Sequence, residues 1–386
     1  MNIPSAISAI EPQMKAWRHD FHAHPEIGFE EKRTAGIVAA ALTSFGYEVH
    51  TQVGKTGVVG RLKVGNSSRS VGLRCDMDAL PMQETTQLSY RSTIDNRMHA
   101  CGHDGHTASL LGAAKYLAET RNFDGTVTLI FQPAEEGVGG ARAMLEDKLF
   151  ARFPCDSVFG YHNSPKLPVG KFAIRPGTMM AGGAFFDIKI QGRGSHGAHP
   201  EHSVDPVLCA CQIVTALQSI VARNIGAVDQ GVISVTRIEG GDAYNVVPDT
   251  AFIRGTARFM KAEIGELIET NMKRLVKGIA AGFGASAEVD YRLIFAPLVN
   301  TPTEAEFAAD IAAEIAGEAN VNRHREVIMG SEDFSFMLEE VPGAYINIGN
   351  GDSAQVHNPA YDFNDGVLPL AATFYARVVE KKLAKA

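Results

Sequence analysis

The sequence predicts an α/β protein in which one domain, with a mixed and largely parallel sheet, carries an inserted ferredoxin-like α+β domain. Three observations lead to this fold class. In roughly the first 180 residues, short apolar strands alternate with helical patterns, an order typical of layered α/β structures. The next stretch of about 110 residues has the order β-α-β-β-α-β, which is the ferredoxin-like arrangement. The remainder of the chain returns to mixed helices and strands.

The elements before the insertion are predicted from their hydrophobic period. Apolar residues spaced three and four apart indicate helices, and β-branched runs that end in turn residues indicate buried strands. The predicted helices are 30–45, 105–119 and 140–147. The predicted strands are 58–64, 71–75, 126–131 and 157–161. Because strands and helices alternate here, we expect the sheet to be largely parallel.

The inserted domain begins where the pattern changes. Residues 184–191, AFFDIKIQ, alternate with a period of two, as a half-buried strand does. They are followed by a helix at 205–222, strands at 232–238 and 250–259, a helix at 262–281 and a strand at 287–294. Beyond the insertion, the sequence predicts a helix at 303–316, a strand at 344–348 and a helix at 367–384.

The predicted organisation is one discontinuous domain, 1–181 and 296–386, with 182–295 inserted as a second domain. Two hinges are expected, near Gly182 and Ala296. At about 150 residues per domain, a chain of 386 residues has room for both. Ligand sites favour junctions of this kind.

Composition excludes several classes of function. Hydrophobic residues make up 45% and charged residues 21% of the chain, as in ordinary globular proteins. The net charge of −8 argues against a nucleic-acid partner. Five scattered cysteines do not suggest a disulfide framework, and we therefore expect a reducing, cytoplasmic location. No secretory signal and no run of about 18 apolar residues is found, so no membrane partner is expected.

Four short segments of the first domain concentrate potential metal ligands. Segment 98–107, MHACGHDGHT, holds one thiol and three imidazoles just before a predicted helix. Segments 74–81 (RCDMDALP), 132–137 (QPAEEG) and 160–163 (GYHN) lie at the ends of predicted strands, and the carboxyl ends of parallel strands meet at one edge of a sheet. A further candidate, His357, lies in a polar turn. Mixed thiolate, imidazole and carboxylate ligands suit zinc or a neighbouring transition ion.

Each of these residues, taken singly, also has an ordinary structural explanation. A lone cysteine such as Cys101 is usually a buried hydrophobe. A histidine after a strand, such as His162, is usually part of a structural hydrogen bond, and adjacent glutamates are usually a solvated turn. The metal site is favoured because all the segments fall within one domain.

Together, these motifs resemble the amidohydrolase branch of the aminoacylase and carboxypeptidase family of metallopeptidases. The resemblance is carried, in order, by RCDMDALP, MHACGHDGHTA, FQPAEEG, GYHNSP and HNPAYDFND. It extends over the opening RHDFHAHPEIGFEE and over GRGSHGAHPE and NVVPDTAFIRGTARF of the insertion. The branch includes hippurate hydrolases, N-acyl-L-amino acid amidohydrolases, N-acetyl-diaminopimelate deacetylases and auxin-conjugate hydrolases. It implies a zinc-peptidase-like catalytic domain and an inserted lid domain through which some relatives dimerise.

The resemblance also implies a dinuclear metal centre. By position, the metal ligands are Cys101, His103, Glu136, His162 and His357, with Cys101 bridging the two ions. Two divalent transition ions per subunit are implied, manganese or zinc, with nickel or cobalt also compatible with these ligand types. Glu135 matches the general base that activates the attacking water, and Asp78 matches a carboxylate that orients a ligand.

Further residues match the substrate-facing parts of the family. His196 matches a histidine that stabilises the oxyanion, and in relatives that dimerise through this domain that histidine can come from the same chain or from the partner chain. His199 stands where the family pattern has another residue. Asn245 and Arg258 match residues that hold the substrate's free carboxylate, for which a planar guanidinium is well suited. Gly330 matches a loop that lines the acyl pocket.

The pair Glu332 and Asp333, beside that loop, is expected to cap the helix that follows. A serine hydrolase is disfavoured, because GRGSHG has Arg193 where a nucleophile elbow needs glycine. The absence of a P-loop motif likewise disfavours nucleotide-driven chemistry.

The implied function is metal-dependent hydrolysis of the amide bond of small N-acyl amino acids. The alternatives are a metallo-carboxypeptidase or dipeptidase, or an N-acetyl-diaminopimelate deacetylase, with the same site. A non-catalytic metal-binding sensor with the same fold is the alternative from a different class. The expected partner is the small-molecule substrate. For the oligomeric state, a homodimer paired through the lid domain and a monomer are the two alternatives.

Overall fold

The computed structural model describes residues 1–385 and divides the chain into two units. Unit 1 comprises Met1–Met179, Val299–Glu326 and Asp333–Ala386. Unit 2 comprises Met180–Leu298 and Val327–Glu332. The insertion predicted from the sequence is 182–295, and unit 2 differs from it chiefly by also containing Val327–Glu332. The reason is local hydrogen bonding, because the N–H of Ala181 donates to the carbonyls of Ile328 and Gly330 at 3.0 and 3.1 Å.

The strands and helices of both units are numbered in chain order. The strands are β1 (Glu48–Val53), β2 (Gly57–Val64), β3 (Ser70–Asp76), β4 (Gly125–Gln132), β5 (Ser157–Pro165), β6 (Phe172–Ala173), β7 (Gly177–Met180), β8 (Gly182–Gln191), β9 (Ser195–His196), β10 (Gly231–Glu239), β11 (Val246–Val247), β12 (Thr250–Phe259), β13 (Ser286–Phe295), β14 (Leu298–Asn300), β15 (Val321–Asn322) and β16 (Gly343–Gly351). The helices are α1 (Ser5–Ala23), α2 (Lys32–Ser44), α3 (His103–Thr120), α4 (Gly140–Glu146), α5 (Leu149–Arg152), α6 (Pro206–Arg223), α7 (Ala262–Gly282), α8 (Pro302–Ala316), α9 (Phe334–Glu340) and α10 (Leu368–Lys382).

Unit 1 is built on an eight-stranded mixed sheet with the order β1-β2-β4-β3-β5-β16-β6-β15. The central strands β4, β3, β5 and β16 run parallel to one another, whereas β1 and β2 pair antiparallel with their neighbours. Strand β6 pairs antiparallel with β16 and parallel with β15. Because the central strands are parallel, their carboxyl ends lie along one edge of the sheet. The segment that follows β3 contains Asp78, the segment that follows β4 contains Glu135 and Glu136, and His162 lies near the end of β5.

Helix α3 is buried along most of its length. It packs against α1, α10 and β3, and its apolar side chains, among them Leu110 and Leu111, are fully buried. The same core takes in Leu73 of β3 and Phe131 of β4. Fixing α3 in this way fixes His103, which is its first residue.

Unit 2 is a four-stranded antiparallel sheet, β10-β12-β8-β13, covered by α6 and α7. Inward-facing residues alternate along the strands, so that Ile188 of β8 stands opposite Ile253 of β12, and both are fully buried. The chain order and the strand order are those of a ferredoxin-like domain. Two short strands, β9 and β11, form a separate ribbon beside this sheet.

Two elements near the N-terminus were not predicted from the sequence. Helix α1 contains Pro12, which is unfavourable inside a helix. Burial of Ile7, Ile10 and Met14 along one face holds the helix against the core of unit 1. Strand β1 forms an antiparallel pair with β2, and its alternation is weak because most of its side chains are partly or fully exposed.

Helix α6 is, within the described part of the chain, the one helix long and apolar enough to cross a membrane by length and composition alone. Its residues Cys209, Ile213, Leu217 and Ile220 are fully buried in the core of unit 2. A core helix meets the same criteria, so this helix carries no argument for a membrane.

Candidate metal centre

The candidate site begins at Cys101 and His103, which Gly102 brings onto one side of a tight turn. Gly102 has φ 99°, a backbone conformation that L side chains rarely adopt. A Cβ at this position would lie 2.4 Å from Oδ1 of Asn163. Glycine is therefore required here both by the turn and by the close approach of the neighbouring strand.

The orientation of the His103 ring is set by Asp78. Nδ1 of His103 lies 2.9 Å from the backbone oxygen of Asp78 and 3.2 Å from its carboxylate. Because a carbonyl oxygen can only accept, Nδ1 carries the hydrogen and donates it. In the neutral ring, Nε2 therefore carries the lone pair, and it is buried with no hydrogen-bond partner among residues 1–385. This is the arrangement of a metal-binding imidazole.

His162 is oriented in the same way. Its Nδ1 lies 2.6 Å from the backbone oxygen of Asn163 and must donate to it. Its Nε2 lies 3.3 Å from Sγ of Cys101. Two imidazoles thus present Nε2 lone pairs toward one region that also contains the thiol.

The potential ligand atoms form two groups that share the thiol of Cys101. One group joins Cys101 with His103 and His162, and the other joins it with Glu136 and His357. Within each group the ligand atoms lie within 4.8 Å of one another. The structure thus brings all five sequence-predicted ligands together, with Cys101 common to both groups.

His357 reaches this site from the C-terminal part of unit 1. Its N–H donates to the carbonyl of Ala100 at 2.7 Å, which ties the two segments together. Its φ of 62° is left-handed, and its Nε2 lies 3.1 Å from Oε1 of Glu136. The side chain of His357 is 53% exposed, so this side of the site is open to solvent.

Glu135 lies beside these ligands and is 6% exposed. Its carboxylate is within 4.8 Å of ligand atoms of His103 and Glu136, and its Oε1 accepts the N–H of Asp333 at 3.4 Å. The next peptide is held by Asp78, whose Oδ2 accepts the N–H of Glu136 at 3.1 Å. Asp78 therefore contacts both the His103 ring and the segment that carries the two glutamates.

Several carboxylates lie close together at this site, and their negative charges change the pKa values of the neighbouring thiol and imidazole. Burial, together with the carboxylates of Glu136 and Glu135, raises the pKa of the Cys101 thiol well above its usual range. Burial disfavours the charged form of His103, but the carboxylates of Asp76 and Asp78 outweigh it and raise the pKa to about 10. A divalent cation is the charge that these donors lack, since a cation beside sulfur favours the thiolate. The donor set therefore fits a divalent transition metal.

Sequence reasoning missed the network that supports the site. His106 lies 2.6 Å from Asp76 through Nδ1 and 2.6 Å from Asn163 through Nε2, so both of its ring nitrogens are engaged. Arg74 donates to Asp76 at 2.9 Å and is fully buried. Arg74 lies within the motif RCDMDALP, and a charged residue in the middle of an apolar strand was the signal that could have identified it.

The expected capping role of Asp333 is wrong. Asp333 precedes α9, but its side chain makes no capping hydrogen bond to that helix. Its carboxylate instead accepts from Gln132 at 2.7 Å, from the N–H of Ala141 at 2.9 Å and from Arg74 at 3.3 Å. A buried guanidinium and two further buried donors therefore bind this carboxylate in place of the backbone N–H groups at the start of α9.

In unit 2, His196 and Asn245 lie next to each other. His196 pairs with Val246 across the β9–β11 ribbon, and the N–H of Gly197 donates to the carbonyl of Asn245 at 2.7 Å. Nδ1 of His196 accepts the N–H of Ala198 at 3.1 Å, which leaves the hydrogen of the neutral ring on Nε2.

The two neighbouring histidines differ from His196 in their surroundings. His199 and His202 both lie beside Glu201, at 3.4 and 3.7 Å. They are therefore placed to share a surface carboxylate.

Arg258 is half-buried on β12 and forms no ion pair among residues 1–385. Its guanidinium donates to Oγ1 of Thr256 at 2.6 Å and to the carbonyl of Ala257 at 3.0 Å. Burial lowers its pKa. Gly330, the predicted acyl-pocket residue, lies in the exposed segment that bonds to Ala181.

An α/β domain with two groups of transition-metal donors sharing one thiol, and a buried carboxylate alongside, defines a metal-dependent hydrolase of the zinc-peptidase type. The sequence matches the model of Peptidase family M20/M25/M40 over residues 72–381, and the chain belongs to this family.

Individual relatives agree with this membership. The chain is 44% identical over 383 residues to hippurate hydrolase from Campylobacter jejuni, covering 99% of this chain and 100% of the relative. It is 37% identical over 375 residues to N-acetylcysteine deacetylase from Bacillus subtilis, covering 97% of each. A solved dinuclear metal-binding peptidase of the M20 family from Bacillus subtilis has a TM-score of 0.85 at 34% identity, covering 98% of this chain and all 100% of the other.

The family membership confirms several predictions made from the sequence. The fold class and the amidohydrolase branch are as predicted. The chain is a metal-dependent amidohydrolase that binds a divalent metal, which disfavours the non-catalytic sensor.

Proposed function

We propose that this protein hydrolyses the amide bond of N-acyl amino acids, releasing a carboxylic acid and a free amino acid, with Glu135 as the general base. The observation that carries the proposal is the pair of ligand groups meeting at Cys101, with the buried carboxylate of Glu135 beside them. The relatives named for hippurate and for N-acetylcysteine support N-benzoyl and N-acetyl amino acids as the substrate class.

The five predicted ligands would hold two metal ions. One ion is assigned to Cys101, His103 and His162, and the other to Cys101, Glu136 and His357. Manganese or zinc is proposed, and nickel or cobalt would suit the same ligand types. When bound, the metal ions polarise the amide carbonyl and lower the pKa of water from about 15.7 toward neutrality.

The chain's own residues then carry the proton. Glu135 accepts a proton from the attacking water as the new C–O bond forms at the amide carbon, and it returns that proton to the leaving nitrogen as the C–N bond breaks. Because Glu135 is buried but is not assigned to the metal ions, its carboxylate keeps the basicity that this step requires. The Nε2–H of His196 is the proposed donor to the oxyanion, since its Nδ1 is already an acceptor.

Arg258 is the proposed partner of the substrate's free carboxylate. A half-buried guanidinium without an ion pair among the described residues is poised to bind an anion in its planar fork. Asn245 would supply a second polar contact, and Gly330 would line the acyl pocket.

A homodimer through unit 2 is also proposed. Strand β10 is an outer strand of its sheet, and Val232 and Ile238 on it are 42% and 48% exposed, as expected for a strand that pairs with another chain. Mixing the His196→Ala and Glu135→Gln variants tests this arrangement. If His196 serves the partner's site, the mixture regains activity that neither variant has alone, whereas no regain contradicts sharing between copies.

The central experiment is Glu135→Gln with Glu136→Gln as its matched control. We expect Glu135→Gln to lower kcat by about 100-fold or more while bound metal stays at the wild-type amount. Glu136→Gln is expected to lose metal, because a ligand is removed. Wild-type turnover by Glu135→Gln would overturn the proposed mechanism.

The substrate class is tested separately by comparing N-benzoyl and N-acetyl amino acids with dipeptides. We expect kcat/KM to be higher for the N-acyl amino acids than for the dipeptides. Faster turnover of dipeptides would favour the carboxypeptidase or dipeptidase alternative, and selective turnover of N-acetyl-diaminopimelate would favour the deacetylase.

A further inference from the structure

Ala134, the residue immediately before the proposed general base, has a strained backbone. Its φ is 51°, in the left-handed region that residues with a Cβ rarely occupy. This conformation turns the chain after β4 and so sets the direction in which Glu135 leaves the strand. Strained residues of this kind persist only where their surroundings hold them.

The contact that holds Ala134 comes from the N-terminal part of unit 1. Oε1 of Glu31 accepts the N–H of Ala134 at 2.8 Å, and Oε2 accepts the hydroxyl of Thr56 at 2.5 Å. The carbonyl of Ala134 accepts a hydrogen bond from the N–H of Gly140 at 2.9 Å, so both backbone polar groups of Ala134 are hydrogen-bonded. Glu31 is fully buried, and its carboxylate faces no lysine or arginine in any ion pair found within residues 1–385.

A second contact from the same segment reaches Ala134 from the side. A Cβ added to Gly28 would lie 3.0 Å from Cβ and 3.1 Å from Cα of Ala134, so the two residues are already in close contact. The carbonyl of Glu26, in the same loop between α1 and α2, accepts the N–H of Ala79 at 2.8 Å. The loop therefore supports both the residue after Asp78 and the residue before Glu135.

We propose that Glu31 is a positioning residue, which holds Ala134 in its left-handed conformation and thereby aims the carboxylate of Glu135. The inference rests on the proposed role of Glu135 as the general base. Its cost is visible in the electrostatics, since burial raises the pKa of Glu31 to about 7. Burying a carboxylate without a neighbouring cation is unfavourable. The hydrogen bond that Glu31 accepts from the N–H of Ala134 offsets part of this cost and gives the burial a role.

The test compares Glu31→Ala with Glu31→Gln and with Glu30→Ala in the metal-loaded enzyme. Glu30 is the exposed neighbour and serves as the control. We expect Glu31→Ala to lower kcat by about 100-fold, the scale of a misplaced catalytic group, with KM and bound metal unchanged. Glu31→Gln keeps an oxygen for Ala134 and a polar group for Thr56, so its kcat should stay near that of the wild type.

Gly28→Ala provides an independent variant, because its added methyl group would be in tight steric contact with Ala134 and Glu31 itself is unchanged. We expect it to lower kcat with unchanged metal content as well. In addition, Glu31→Ala should have no further effect in the Glu135→Gln background, since the group that it positions is already disabled. A purely structural role would instead lower the activity of both backgrounds by the same factor.

Two results would overturn the inference. The first is a Glu31→Ala variant whose kcat equals that of Glu30→Ala. The second is a Glu31→Ala variant that loses bound metal and thermal stability in proportion to its loss of kcat. These outcomes are distinct from failure of the proposed function, which shows as wild-type turnover by Glu135→Gln. If Glu135→Gln is inactive and Glu31→Ala is fully active, the positioning role alone is refuted.

Discussion

The carboxylate of Asp78 accepts a hydrogen bond from Nδ1 of His103 at 3.2 Å, and Nε2 of the same ring is left available to a metal ion. The backbone oxygen of Asp78 contacts the same nitrogen at 2.9 Å. The other carboxylate oxygen accepts the N–H of Glu136 at 3.1 Å. A single aspartate thus contacts two of the proposed ligands, His103 in one of the groups that share Cys101 and Glu136 in the other.

This relationship predicts a loss of metal affinity in Asp78→Ala. The His103 ring would keep only the backbone acceptor, and the N–H of Glu136 would lose its partner. We expect affinity to fall about 10–100-fold, the usual effect of removing a residue that orients a ligand. Competition with a chelator measures it. Asp352→Ala, at an exposed surface carboxylate, is the control, and equal affinities of the two variants would contradict the prediction.

Metal binding is expected to stabilise the protein through Cys101. At metal concentrations about 100 times the dissociation constant, a ligand that binds the folded state alone adds about 2.7 kcal/mol. Chelation should therefore lower the Tm of the wild type, whereas Cys101→Ala should show a much smaller difference between metal-loaded and chelated samples. Cys211, which is exposed on α6, is the matched control. An unchanged response in Cys101→Ala would remove this thiol from the site.

Arg18 is expected to be important for stability. It is fully buried and binds three carboxylates: Asp104 at 3.0 Å, Asp365 at 2.9 Å, and Asp362. Removing one partner of a buried ion pair typically costs about 3–5 kcal/mol. Arg18→Ala should lower the free energy of unfolding in urea by this amount.

The control for this measurement is Arg33→Ala. Arg33 forms an exposed ion pair with Asp20 at 2.8 Å, and such pairs contribute about 0–1 kcal/mol. Similar losses in the two variants would show that the carboxylates around Arg18 find other partners.

The buried carboxylate of Glu31 predicts a dependence of stability on pH. Its ordinary pKa of 4.5 is raised by burial to about 7 in the folded protein. Between these values the folded state holds a proton that the unfolded chain releases, so stability falls as pH rises through this window. Glutamine cannot ionise, and Glu31→Gln should gain up to about 3 kcal/mol above pH 7, at 1.36 kcal/mol per pKa unit.

Urea unfolding of the chelated protein at several pH values measures this gain. The advantage of Glu31→Gln should shrink as pH falls from 7 and vanish near pH 4, where glutamate is protonated in both states. Glu30→Gln, at the exposed neighbour, should show no such trend. A gain that is constant with pH would argue against titration of Glu31.

The five proposed ligands, which the structure brings together, were indicated by the sequence because thiol, imidazole and carboxylate residues lie in motifs that resemble the family. Their distance along the chain does not matter for such an indication. Glu31 carries no signal in the sequence, and the charge of Arg74 within an apolar strand marks it as unusual but does not give its partners, because both roles depend on which peptide or carboxylate faces the side chain. The misassignment of Asp333 has the same cause, since a position before a helix indicates a cap only when no stronger donor is near.

The secondary-structure elements likewise divide into those that the local sequence pattern predicts and those that depend on packing elsewhere in the fold. Strands with β-branched runs and helices with an apolar stripe were predicted close to their observed bounds, because local pattern and burial agree there. Helix α1 was missed, since Pro12 opposes a helix locally and only the packing of Ile7, Ile10 and Met14 explains it. The edge strand β1 lacks a buried face and so lacks a pattern.

Strand β16 lies in the middle of its sheet, between β5 and β6, yet its residues come after most of unit 2 in the chain. During synthesis on the ribosome, the emerging polypeptide can complete the ferredoxin-like sheet of unit 2 first. The first 180 residues meanwhile keep the side of β5 unpaired and lack His357. A nascent chain stalled before Gly343 therefore has an incomplete central sheet and lacks one proposed ligand, and we expect metal to bind only after the C-terminal part of unit 1 has been made.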